Sequence, residues 1–328
     1  IPNFEKKIHF NKIRKNFLLN GRKGFKIQSI QNRKLTNFVS RAIFAFKVSK
    51  FIKKNNPNII LTRSFISSIF LTLFKINHIL EIHSELQSIT KFLMINLNYI
   101  NSKYILKKIL ISKALNKIYK FKAKDILILH DGVDIKNFKY SKETKEIKTV
   151  TYVGSFYKGR GIDIILELAK KFKKIKFNFY DEKNKFTKVK LKNVKFLGYI
   201  NYNEVPKVLS DSDVLLMPYS KKVYVRADNI NTANYCSPLK MFDYLAAGKI
   251  IMSSKLDGIC EVLKHKNNSI IVNKYDPKSW IKYMEDIIKK KYNLSSIRKN
   301  SLKTATKFTW YSRAEIITKS YIKLSKND

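Results

Sequence analysis

Residues 237–248, Ser-Pro-Leu-Lys-Met-Phe-Asp-Tyr-Leu-Ala-Ala-Gly, place a helix-start signal, a cation and a carboxylate within seven positions. Ser237 reads as an N-cap, and Pro238 suits the first helical position. The unpaired amides of a first helical turn, together with the helix dipole, attract an anion, and Lys240 in that turn adds a full positive charge. Asp243, one turn on, would repel a phosphate but is suited to accept hydrogen bonds from ribose hydroxyls. Gly248 ends the helix. The pattern describes a nucleoside diphosphate, with the anion at the helix start and sugar hydroxyls one turn along. An ordinary capped helix with a solvated Lys and Asp satisfies the same pattern.

A second stretch, 152–172 (YVGSFYKGRGIDIILELAKKF), has a strand ending at Gly154, a glycine-bearing loop with Lys158 and Arg160, and a helix from near Ile162. Glycines let backbone approach phosphates and a basic residue supplies charge. The spacing is neither the dinucleotide fingerprint nor a Walker loop, and a plain strand–helix turn with two solvated cations fits it equally.

The elements that must position these residues alternate along the whole chain. Apolar runs at 25–30, 58–63, 78–83, 109–112 and 126–130 read as strands separated by amphipathic helices. A charged linker follows at 139–148. The alternation then restarts with runs at 149–154, 176–181, 193–199, 213–219, 249–254 and 269–272. This predicts an α/β protein of two Rossmann-like domains facing a central cleft, into which the carboxyl ends of both sets of strands point.

The chain has 328 residues, a length that suits two domains, and 45% hydrophobic content excludes a disordered chain. Its two cysteines give neither a disulfide framework nor metal-ligand spacing, and its five histidines are scattered, so no metal is expected. The net charge of +43 comes mainly from lysine, since only nine of 67 basic residues are arginine. With abundant Asn and Ile, that is the mix an A/T-rich coding sequence produces. The charge is uneven: residues 1–124 hold 26 basic and three acidic residues. No run approaches the ~20 apolar residues of a spanning helix, and no signal peptide is visible. The start at Ile1 suggests that a short N-terminal piece, with part of the first strand, is missing.

Taken together, YVGSFYKGRGIDIILELA, VKFLGYINYNEVPKVLSDSDVLLMPY and SPLKMFDYLAAGKIIMSSKLDGICEVL resemble, in order and spacing, the nucleotide-sugar-binding half of the family-four retaining glycosyltransferases, which have the GT-B fold. LHDGVDIKNF (129–138) resembles that family's segment ahead of the inter-domain linker, and FTWYSRAEIITKSY (308–321) its closing helix. The resemblance implies an acceptor-side domain over 1–145, a nucleotide-sugar domain over 146–305 and a helix over 306–328 that crosses back. It implies that Arg160 grips the donor diphosphate, with Gly154 and Ser155 in the same loop. Ser155 stands where many members have a second arginine. Ser237, Pro238, Leu239 and Lys240 would hold the diphosphate, and Asp243 would take the place of the second glutamate of the E-x7-E motif. The first glutamate falls at Tyr235, a departure from the pattern. His83 matches a histidine set beneath the donor sugar; as a strand-end residue it also reads as an ordinary satisfied histidine. Glu261 reads either as orienting the donor loop or as structural.

The implied activity is transfer of a sugar, with retention and without a cofactor or metal, from a nucleotide-diphosphate sugar to a saccharide or lipid-linked acceptor in cell-envelope polysaccharide or lipopolysaccharide synthesis. The leaving group would be stabilised by Arg160, Lys240 and helix amides. The basic first half suits a cytoplasmic protein that docks peripherally on an anionic inner membrane face, with 85–108 as the docking segment. The rival readings are a basic nucleic-acid-binding protein, a sugar-nucleotide epimerase and a non-catalytic GT-B homologue. Dispersed lysines and the absence of any recognition motif argue against specific nucleic-acid binding.

Overall fold

The computed structural model of the chain describes residues 2–3, 30–31, 37–139, 146–181, 189–224 and 231–325. The chain divides into two compact units. The first comprises Ile1–Leu110, Ile118–Leu129 and Ile316–Asp328, and the second Ile111–Lys117 and His130–Glu315.

In the first unit, β1 (Pro2–Asn3) pairs in parallel with β2 (Ile30–Gln31). A separate four-stranded parallel sheet runs β3 (Leu61–Thr62), β4 (His78–Ile82), β5 (Ile105–Leu110) and β6 (Ile126–Ile128), in that spatial order. Helices α1 (Phe38–Asn55), α2 (Phe65–Leu73) and α3 (Ser88–Lys91) belong to this unit. Every residue of β4 is buried, Ile79, Leu80 and Ile82 as a parallel sheet covered on both faces requires, and His78 and Glu81 with them. Most of the strand expected over 25–30 lies outside the described residues, as does 140–145 of the charged linker.

The second unit begins with helix α4 (Lys113–Tyr119), of which residues to Lys117 belong to it. Its sheet is assembled from β7 (Thr149–Val153), β8 (Lys176–Tyr180), β9 (Val194–Phe196), β10 (Val214–Met217), β11 (Ile250–Ser254) and β12 (Ile270–Val272). All pairs are parallel, in the spatial order β12-β11-β10-β7-β8-β9. The strand period of two divides the side chains between two cores. Val214, Leu216, Ile250 and Met252 join Tyr152, Phe177, Phe179 and Trp280 on one face; Leu215, Met217 and Ile251 join Phe242, Leu245 and Ile259 on the other. The covering helices are α5 (Ile162–Lys171), α6 (Val205–Ser210), α7 (Leu239–Ala246), α8 (Asp257–Cys260), α9 (Pro277–Ile288) and α10 (Leu294–Ala305), with α11 (Trp310–Ser325) closing the described chain.

Composition placed the division near residue 145, at the charged linker; the contacts place it at 129/130. Residues 130–138 are tied into the second unit by backbone. Val133 N–H donates to the Phe308 carbonyl at 3.0 Å, and Trp310 N–H donates to the Val133 carbonyl at 3.4 Å. A Cβ at Gly132 would lie 2.8 Å from the Thr309 backbone, so the two segments approach more closely there than a side chain allows.

Candidate functional site

From β7 the chain proceeds outward through β8 and β9, then returns to β10 on the other side of β7. In open parallel sheets, ligands bind outside the carboxyl ends of the strands at such a reversal of strand order. Gly154 follows β7 and Tyr219 lies just past β10, so the loops leaving both strands begin at this point.

The loop after β7 is fixed against the loop after β10 by backbone. Ser220 N–H donates to the Gly159 carbonyl at 3.0 Å and Tyr224 N–H to the Lys158 carbonyl at 3.3 Å. The contact is so close that a Cβ on Gly161 would sit 1.8 Å from the Pro218 carbonyl oxygen, and Gly161 has φ +75°. The glycines of this loop therefore serve loop-to-loop packing, and Arg160 between them is presented from a rigid base. Its guanidinium lies over the Tyr219 ring, 4.8 Å from the centroid, and donates to the Tyr224 carbonyl at 3.4 Å.

Lys240, in the first turn of α7, reaches the same ring. Its Nζ is 3.9 Å from the Tyr152 ring centroid and 5.7 Å from that of Tyr219. Gly154 makes room for it: a Cβ there would stand 2.5 Å from Nζ. Arg160 Nε and Lys240 Nζ are both buried, with no hydrogen-bond partner among the described residues. Burial, and then the neighbouring Arg160 charge, push the Lys240 pKa well below its ordinary value. Lys240 thus differs from the exposed, fully charged lysine the sequence suggested; it is stowed between aromatic rings beside a second cation. Burial also pushes the Cys236 thiol up to about 12, against the pull of Arg160, which removes it as a thiolate nucleophile.

Asp243 is buried one turn along α7 and accepts a hydrogen bond from the Tyr202 hydroxyl at 2.9 Å. Burial raises its pKa to about 6, while Tyr202 and Lys240 pull the other way. Helix α7 starts one residue later than its sequence signals imply. Pro238 is the N-cap, in extended conformation and without a side-chain cap, and Leu239 is the first helical residue, more than half exposed. Ser237 does not cap the helix; its Oγ lies 3.1 Å from His130 Nδ1. Gly248, with φ +62°, ends the helix as expected. Ser155 accepts a hydrogen bond at its carbonyl from the Tyr152 hydroxyl at 2.9 Å.

Glu261 is held by three donors. Lys113 and Ala114 give it their backbone N–H groups at 2.8 and 2.7 Å, and His130 Nε2 lies 3.1 Å away. Burial works to raise its pKa, but the hydrogen bonds from His130 and the two amides hold it below the ordinary carboxylate range. Glu261 therefore caps α4 while orienting His130.

His83 belongs to the first unit, just past the carboxyl end of β4. Its Nδ1 accepts from the Arg63 guanidinium at 2.9 Å and its Nε2 contacts the Glu81 carboxylate, so both ring nitrogens are engaged.

The structure thus brings Gly154, Arg160 and Lys240 together, with Asp243 one turn away. Tyr152, Tyr219, Tyr202 and His130 are the members the sequence reading missed. Tyr219 had a legible signal, since it ends an apolar run at the strand beside the reversal; His130 had none beyond its type. Among the described residues, no group of three or more His, Cys, Asp or Glu is placed to hold a metal ion.

The sequence model of the family described as "Glycosyl transferases group 1" matches residues 134–304, slightly more than half the chain. No curated protein sequence matches the chain. Solved structures share its fold at low identity, and they are GT-B proteins with two Rossmann-like domains. A glycosyltransferase from Rickettsia africae ESF-5 is similar with a TM-score of 0.73 and 15% identity, over 92% of this chain and 86% of that one. Anabaena Alr3699/HepE in complex with UDP gives 0.72 and 13%, over 95% and 88%. WaaG, a glycosyltransferase involved in lipopolysaccharide biosynthesis, gives 0.57 and 13%, over 92% of each chain.

Proposed function

Because the chain belongs to the glycosyl transferases group 1 family, we propose that it moves a sugar from a nucleoside-diphosphate sugar to a saccharide or lipid-linked acceptor, with retention at the anomeric carbon. The observation that carries this reading is a pair of neighbouring buried cations with unsatisfied polar atoms, Arg160 Nε and Lys240 Nζ, at the reversal of strand order. A buried donor without an acceptor is costly, and burial beside the Arg160 charge opposes the Lys240 ammonium; an anion answers both. A diphosphate has the charge and the length to meet Arg160, Lys240 and the first amides of α7 together.

In this reading the arriving diphosphate supplies the counter-charge that lets Lys240 take a proton and act as an ammonium. The bond to the sugar breaks as charge builds on the diphosphate, and the two cations with the helix amides hold that charge. The acceptor hydroxyl gives its proton to the departing phosphate and attacks from the same face. Asp243 accepts from the ribose hydroxyls in competition with the Tyr202 hydroxyl. No metal takes part.

Anabaena HepE, a structural neighbour, binds UDP and UDP-glucose, which supports a uridine nucleotide as the first donor to try. WaaG acts in lipopolysaccharide biosynthesis, which supports a cell-envelope acceptor. The first unit supports peripheral attachment at the cytosolic membrane face. Ile89, Phe92, Ile95 and Leu97 are each 43–54% exposed in and just after α3, beside Lys91, in the part of the chain (residues 1–124) that holds 26 basic and three acidic residues. No described helix is long and apolar enough to cross a membrane.

The test is product analysis with UDP-glucose and GDP-mannose and a cell-envelope extract as acceptor. The reading expects free nucleoside diphosphate and a glycoside with the donor's anomeric configuration by NMR. An altered nucleotide sugar without free diphosphate would mean an epimerase, and binding without turnover a non-catalytic homologue.

A further inference from the structure

The line Glu261–His130–Ser237 has no part in the transfer chemistry above, yet it ends on a hydroxyl at the start of α7. All the partners of the Glu261 carboxylate are donors: the amides of Lys113 and Ala114, and His130 Nε2 at 3.1 Å. Nε2 therefore carries a proton. In a neutral ring Nδ1 is then bare, and it faces Ser237 Oγ at 3.1 Å, so the hydroxyl proton points at the ring. Ser237, only 6% exposed, presents lone pairs alone to the space ahead of the helix. An anionic oxygen is itself an acceptor and finds no donor in that hydroxyl. The conflict is resolved when Nδ1 gains a proton: the hydrogen bond reverses, Ser237 Oγ accepts from the ring, and its own O–H turns to the anion.

We propose that His130 is a positioning residue that sets the direction of the Ser237 hydroxyl, and that filling the anion site at the start of α7 draws one proton from solvent onto His130 Nδ1. This inference rests on the diphosphate reading. Only N–H and O–H partners change, and no other bond forms or breaks. The ring lies between Phe242 of α7 and Phe308, with ring centroids 6.4 and 5.7 Å away. The charged groups around it are Glu261, Arg313, which donates to the His130 carbonyl at 3.0 Å, and Lys240 on the helix that carries Phe242. Asp131, buried, is the next residue in the chain.

Calorimetry with UDP-glucose and GDP-mannose between pH 6 and 9, in buffers of different ionisation enthalpy, counts the protons taken up. On the alkaline side the His130 contribution weakens wild-type binding by up to about tenfold per pH unit, the limit for one linked proton. Lys240 adds its own uptake in every variant, so the difference between proteins is what is read. His130→Asn keeps an amide at the level of Nδ1 that donates at any pH, and Ser237→Ala removes the hydroxyl; each should take up one proton fewer than wild type. An unchanged proton count in both variants overturns the proposal. A ligand-free arm needs no variant to bind: the imidazole 15N spectrum at pH 8 should contain an Nε2–H signal that moves in Ser237→Ala. An Nδ1–H tautomer at that position overturns the proposal outright. If neither donor binds wild type while the 15N result holds, the diphosphate reading fails and the proton coupling falls with it.

Discussion

Asp243→Asn should stabilise the second unit at neutral pH while weakening donor binding. The carboxyl group is buried, and burial raises its pKa from 3.8 to about 6, against the opposing pull of the Tyr202 hydroxyl and Lys240. The folded state therefore binds this proton more tightly than the unfolded chain does. Stability from the group is fully present below its unfolded pKa and is lost as pH rises through about 6. The displacement corresponds to about 3 kcal/mol, an order-of-magnitude figure. Asparagine keeps the acceptor for Tyr202 (2.9 Å in the wild type) and removes the buried charge. Urea unfolding followed by tryptophan fluorescence is the assay. The chain has two tryptophans, Trp280 and Trp310, and both belong to the second unit, so the signal reports that unit alone. The variant's advantage should be near zero at pH ~4, grow through pH ~6 and level off, moving the midpoint by roughly 1–2 M urea at neutral pH. A variant that is less stable than wild type at pH 7.5, or a pH-independent difference, would refute the reasoning.

Four further outcomes follow from the same structure. Gly154→Ala should weaken nucleotide-sugar binding in calorimetry and cost ~1–3 kcal/mol of stability, because its φ of +127° strains any side chain and its Cβ would meet Lys240 Nζ. Glu261→Ala should lower the tryptophan-detected unfolding midpoint by an amount equivalent to ~1–3 kcal/mol, since two amides of α4 and His130 lose their acceptor. In the wild type, the stability Glu261 contributes is present above its unfolded pKa and is lost as pH falls through its depressed folded pKa, so the variant's deficit should shrink in acid. Turnover should survive EDTA; loss on chelation with recovery on adding magnesium or manganese would reveal a metal site. The protein should co-sediment with anionic vesicles at low salt and be released at high salt, and Phe92→Asp with Ile95→Asp should abolish sedimentation; retention of the double variant on vesicles would remove the segment around Phe92 and Ile95 from the docking surface.

The fold was legible because parallel strands buried on both faces read as short apolar runs, and such runs mark most of the strands. The exceptions are instructive. The run at 109–112 straddles a strand end, since β5 stops at Leu110 and the following residues join the other unit. Ser and Pro at 237–238 have the right types for a cap, but the helix begins a residue later because Ser237 is taken by His130, 107 positions away in sequence. Arg160, Lys240 and the glycines were visible from local signals. The aromatic walls were not, because Tyr152 looks like any core strand residue and its cation partner comes from helix α7, 88 residues further on. Long-range pairing of this kind leaves no periodicity to read.

The central claim is that Arg160 and Lys240 form a nucleoside-diphosphate site in the second unit. Calorimetric titration of UDP, GDP and their sugars into wild type and Arg160→Ala tests it most directly. The account predicts that at least one nucleotide binds wild type and that the substitution weakens it by ~1.5–3 kcal/mol, roughly 10- to 150-fold, the range for hydrogen bonds to charged groups. Equal affinity in the two proteins, or no nucleotide binding to wild type at all, would contradict it.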